Sequence, residues 1–122
     1  MKIDRVKFEE FPGGIVKASV SNCRYDALDK INSKFIATAT SALNLDCHTW
    51  SKAGKNYLMN NTYVAIARCA PDDEYDFEMG KKIAMKKLND KYHHSMDRRI
   101  SRFENDMNKV MESLSQYFQY RG

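Results

Sequence analysis

The sequence predicts an α+β fold: an N-terminal antiparallel sheet of about four strands, then a long C-terminal helix, or two helices, forming a coiled-coil dimer. Three observations predict it. Short apolar runs between turn residues occupy much of residues 1–71, and no proline follows Pro71. An apolar seam with heptad spacing then runs from Met96 to Tyr117. At 122 residues the chain is read as one domain, with the sheet and a helix over 25–44 in residues 1–71 and a helical dimerisation region over 72–120. That length buries roughly two-thirds of the unfolded surface without help from a disulfide or metal.

Residues 3–9, IDRVKFE, alternate imperfectly as a half-buried strand. FPGG (Phe11 to Gly14) is a turn, in which proline fixes one φ and glycine supplies a positive one. Ile15 to Val20 is the second strand and closes a hairpin. Residues 25–44 place Leu28, Ile31, Phe35, Ala39 and Leu43 at helical spacing, although the β-branching of FIATAT also suits a strand. A second hairpin is expected from YLM, a turn at Asn60-Asn61, and TYVAIARCA. In that last strand Tyr63, Ala65 and Ala67 share one face; Val64, Ile66 and Arg68 share the other.

Five acids crowd into Asp72 to Glu78, and four lysines follow between Lys81 and Lys87. The acids are first a helix start: Asp72 or Asp73 caps the free amides, and Glu74 and Asp76 complement the helix dipole. One continuous helix follows, or two separated near NDKYHHS. Its seam of Met96, Ile100, Phe103, Met107, Val110, Leu114 and Tyr117 steps alternately by four and three residues. A helix from Asp76 to Tyr120 extends about 67 Å, which would leave Phe103, Val110 and Leu114 in water in a lone chain. Burying each is worth about 1.5–3 kcal/mol, so a second copy of the helix is the expected partner, with packing on the chain's own sheet as the alternative.

Composition bounds the function. Hydrophobic residues make up 43% and charged residues 30%, which excludes a disordered chain. MKIDRVKFEE lacks the apolar core of a signal peptide, and no run reaches bilayer-spanning length, so a cytoplasmic protein is expected. Cys23, Cys47 and Cys69 are odd in number and form no CxxC pair, which suits buried, reduced thiols better than a zinc site completed by His48. His93 and His94 are adjacent and diverge on a helix, so they cannot clamp one metal together. No nucleophile elbow, zinc-protease or phosphate-loop motif occurs, and the expectation is a non-enzyme without cofactor or metal.

The net charge of +4 is uneven. From Lys81 to Arg102, eight bases (Lys81, Lys82, Lys86, Lys87, Lys91, Arg98, Arg99, Arg102) face two acids, Asp90 and Asp97. Such a band is either a solvated helix face or an attractor of anions. The five carboxylates at the helix start repel phosphate, so a phosphate should meet the band instead. The candidate ligand-binding residues are Lys81, Arg98 and Arg99 from the band, with Arg24 and Arg68 from the sheet. Phe77 or Tyr92 (or Tyr63) would stack a base, and Asn89 would read its edge.

The segment ARCAPDDEYDFEMGKKIAMKKL, Ala67 to Leu88, resembles a motif of small phage and prophage proteins: a strand ending in Cys-x-Pro-x-Asp, an aromatic-Asp pair, then glycine and a basic helix. The layout as a whole is similar to the Thoeris anti-defence sponges. That resemblance implies a dimeric phage protein in a bacterial host that binds a cyclic ADP-ribose isomer and sequesters it uncleaved. It also implies two pockets per dimer, built from both chains. The rival expectations are a nucleic-acid-binding or nuclease-inhibiting protein of the anti-CRISPR type, whose affinity falls steeply with salt, and a dimerisation module without ligand.

Overall fold

The computed structural model describes residues 1–33 and 55–121. In chain order these form a 3₁₀ turn (Ile3–Arg5), β1 (Val6–Phe11), β2 (Ile15–Val20), helix α1 (residues 26–33), a second 3₁₀ turn (Lys55–Tyr57), β3 (Tyr63–Arg68) and helix α2 (Phe77–Arg121). The fold is α+β as expected, and among the described residues the sheet has three antiparallel strands in the order β1-β2-β3. The chain divides into two compact units. Met1–Arg24 and Asn60–Ser95 form the first; Tyr25–Met59 and Met96–Gly122 form the second.

In the first unit the hairpin forms as its residues dictate. Phe11 pairs with Ile15 across Pro12-Gly13-Gly14, and both glycines take positive φ (+88° and +71°). Gly14 has a second reason to lack a side chain, since a Cβ there would lie 2.8 Å from Cβ of Cys69. Strand β1 starts later than the alternation suggested: Ile3 falls in the 3₁₀ turn and is well exposed. The register sets Val16 opposite Ala67, Ala18 opposite Ala65 and Val20 opposite Tyr63, and all six side chains are buried on one face. The α2 residues Ala84, Leu88, Tyr92 and Ser95 are buried in the same unit. The helix lies close against the sheet at Gly80, where a Cβ would stand 2.6 Å from Cγ2 of Val16. The Tyr63 hydroxyl is hydrogen-bonded to Ser95 and accepts from the Asn60 amide at 3.1 Å.

The second unit holds the first part of the expected 25–44 helix. Residues 26–33 are helical, with the Asp29 amide donating to the Tyr25 carbonyl at 2.8 Å; the rest of that span lies outside the described residues. Ile31, Tyr57 and Phe103 form a core, with Leu28, Ile100 and Met107 packed against it. The rings of Tyr57 and Phe103 meet edge to face, 5.5 Å between centroids.

Three expectations are corrected here. The predicted strand YLM does not form. Tyr57 belongs to a 3₁₀ turn and is buried with Phe103, and the flanking carbonyls of Asn56 and Leu58 accept from Arg102 (3.3 Å) and Arg99 (3.4 Å). Side chains of α2 therefore take the place of a partner strand, and β3 pairs with β2 instead. Second, α2 starts at Phe77, not at Asp72, although it runs unbroken through NDKYHHS, the continuous form of the two expected. Its cap is Asp76, whose carbonyl accepts from the Gly80 amide (2.9 Å) and whose Oδ1 accepts from the Glu78 amide (3.0 Å). The chain at Pro71 is instead a turn, closed by the Asp73 amide on the Ala70 carbonyl (3.0 Å). Third, Phe103 does not await a second chain: it is 2% exposed within its own unit. Among the described residues, Val110 in the seam and Met111 beside it are left in water, at 42% and 48% exposure.

Candidate functional site

Strand β3 is the edge of the described sheet, so every second residue turns its main-chain groups away from β2. Lysines of α2 meet them there. Nζ of Lys87 donates to the Ile66 carbonyl at 3.2 Å, and Nζ of Lys91 to the Val64 carbonyl at 2.7 Å. The two lysines are four residues apart, so their side chains leave one flank of the helix about 5–6 Å apart at Cβ. Between helix and strand lies a groove of about 640 Å³ lined by Val64, Ala65, Ile66, Lys87, Asp90 and Lys91. Its wall includes Ile66, a large apolar side chain left 40% exposed. An ammonium has three donors, and the main-chain carbonyl takes one. The groove therefore presents two cations with donors to share beside an apolar wall, which is chemistry for an anionic ligand with an apolar part.

A second cleft, of about 300 Å³, opens where β3 leads into the start of α2 and is lined by Gly14, Arg68, Cys69, Tyr75, Asp76 and Met79, among others. Tyr75 ties its loop to β1 by donating to Oε1 of Glu10 at 2.5 Å, and that bond pushes the phenol up to about 12. Asp73 and Glu74 also line this cleft and outweigh Arg68 in charge, so it disfavours phosphate.

The candidate residues are dispersed. Phe77 and Lys81 come together, the ammonium standing 4.5 Å from the ring centroid and 5.8 Å from that of Phe8. Arg68 is exposed on the acidic cleft. Arg24 is exposed, just after the buried Cys23. Asn89 is half-buried, with its Oδ1 enclosed and without a hydrogen-bond partner among the described residues. Tyr92 is a core residue, 5% exposed, with its ring against Tyr63 at 6.2 Å and His93 at 5.2 Å. Arg98 and Arg99 belong to the second unit, where Arg98 is exposed.

The basic band thus proves largely architectural. Lys87, Lys91, Arg99 and Arg102 each donate to a main-chain carbonyl, and Lys81 approaches Glu78 at 3.5 Å. Sequence reasoning included Lys87 and Lys91 in the band but did not single them out. The available signal was their four-residue spacing on one helix flank; which strand edge lay opposite was invisible. Among the described residues no three His, Cys, Asp or Glu side chains converge on a metal site. Cys47 and His48, weighed as zinc ligands, lie outside those residues. No described helix is long and apolar enough to cross a membrane. No protein-family model, curated protein or solved structure matches the chain.

Proposed function

We propose that the protein captures a small phosphate-bearing nucleotide, of the cyclic ADP-ribose type that the resemblance to Thoeris sponges implies, and holds it without cleaving it. The observation that carries this reading is the groove with Lys87 and Lys91 on one side and the β3 edge on the other. Its size falls within the range of small-ligand sites, roughly 300–1,000 Å³. The two ammonium groups would take the phosphates, and Val64 and Ile66 would receive the base or sugar face. Holding without reaction requires a closed grip, since a submicromolar Kd corresponds to better than about −8 kcal/mol.

A second copy of the chain completes this reading. The exposed Val110 and the half-buried Leu114 continue the seam beyond the internal core, with the exposed Met111 beside them, and a partner helix would cover all three. Sedimentation across a concentration series tests it: a dimer that Val110→Glu converts to a monomer supports the pairing, and a monomer at every concentration removes it.

For the function, the protein is incubated with a cyclic ADP-ribose isomer, separated from free ligand and heat-denatured. Release of unaltered ligand supports capture; release of a cleaved product makes the protein an enzyme; no retained ligand removes the reading. The nucleic-acid alternative draws on Lys82 and Lys86, both exposed on α2. It predicts an affinity that falls steeply with salt, whereas two phosphate contacts give a shallow slope.

A further inference from the structure

The groove contains an acid as well as two bases. Asp90 is exposed on α2 and lines the groove between Lys87 and Lys91 in sequence. Lys87 precedes it by three residues, the spacing at which helix ion pairs form. Yet the Lys87 ammonium lies on the Ile66 carbonyl at 3.2 Å, and among the described residues Asp90 has no hydrogen bond or ion pair. A carboxylate accepts hydrogen bonds only, and it repels a phosphate placed beside it.

We propose that Asp90 determines the specificity of this groove: it selects a phosphate ester that also carries neutral donors, such as sugar hydroxyls or a base amine, and rejects a bare polyphosphate. This rests on reading Lys87 and Lys91 as the phosphate contacts. A ligand with both parts places its anion on the two ammonium groups and its hydroxyl or amine on the carboxylate. Sugar hydroxyls are recognised by acidic side chains in this way at other nucleotide sites. A polyanion without donors leaves the carboxylate facing a phosphate in a shared groove. The same repulsion disfavours a nucleic-acid backbone, which separates this site from a general phosphate-binding strip.

Titration calorimetry at a fixed ionic strength of about 0.15 M tests the proposal with two probes, ADP-ribose and inorganic pyrophosphate. The wild-type chain should bind ADP-ribose at least about tenfold more tightly than pyrophosphate, a margin of about 1.4 kcal/mol. In Asp90→Asn the preference should shrink by about tenfold or reverse, with pyrophosphate gaining and ADP-ribose losing affinity. If Asp90→Asn moves both probes equally, or neither, the specificity role is wrong while the phosphate reading stands. If the wild-type chain binds neither probe, or Lys87→Ala/Lys91→Ala leaves both affinities unchanged, the phosphate reading falls first and this inference with it. Asp90 is exposed, so the variant should fold, which an unchanged melting temperature confirms.

Discussion

Replacing Gly80 by alanine sets two effects of known size against each other. In a helix interior alanine is favoured over glycine by about 1 kcal/mol. Here the added methyl would stand 2.6 Å from Cγ2 and 3.3 Å from Cβ of Val16, whose side chain is fully buried in β2. Ordinary carbon contacts lie about 1 Å further out, so either α2 lifts or Val16 is forced from its rotamer. Overpacking of this kind costs about 1–3 kcal/mol, and a valine enclosed in a sheet puts it at the upper end. The net expectation is a loss of about 1–2 kcal/mol, or about 4–8 °C in Tm for a chain of this length. Urea denaturation of the four chains in a double-mutant cycle reads it. With Val16→Ala beside it, Gly80→Ala should become neutral or stabilising, giving a coupling of at least about 1 kcal/mol. An alanine variant as stable as the parent in the Val16 background would refute the close approach. It would also undermine the groove, because the seating of α2 is what brings Lys87 and Lys91 to the edge of β3.

Phe103→Ala removes the largest fully buried side chain among the described residues of the second unit and should cost about 3–5 kcal/mol in urea denaturation. Asp76→Ala removes the acceptor of the Glu78 amide and should cost about 1 kcal/mol, while Asp72→Ala, outside the helix, should cost far less. Burial, then the hydrogen bond to Asp106 at 2.8 Å, raises the Tyr57 phenol above its ordinary value of 10.0. The folded chain therefore keeps this proton when the unfolded chain has lost it. Its contribution is complete below pH 10 and declines as the pH climbs from there through the raised value, so stability should fall across that window. Tyr57→Phe should flatten that alkaline fall and lower stability at neutral pH by about 1–2 kcal/mol.

The covalent pattern was sufficient wherever a local rule had no competitor. The glycine pair after Pro12 could only turn, so the β1–β2 hairpin was legible, as was the two-faced alternation of Tyr63 to Arg68. The seam from Met96 onward announced a helix because its period has no other reading, and the helix is unbroken. Where several residues could do the same task, the sequence left the choice open. Five carboxylates stood near the helix start, and the turn closed at Pro71 left Asp76 as the cap. An apolar tripeptide such as YLM suits a strand or a core plug alike, and the Phe103 ring together with Arg99 and Arg102 made it the second.

The charge band was visible in the sequence, but its roles were not. A cation's partner is set by what the fold places within about 3 Å of its nitrogen, and carbonyls distant along the chain leave no mark on the residues around a lysine. Sequence alone determined the elements that short-range sterics and periodicity enforce: the hairpin, the edge strand's two faces and the long helix. Tertiary structure alone decided which lysines reach the β3 edge, which acid caps α2 and which apolar side chains remain exposed. Those outcomes depend on distances between elements that the chain's order does not encode.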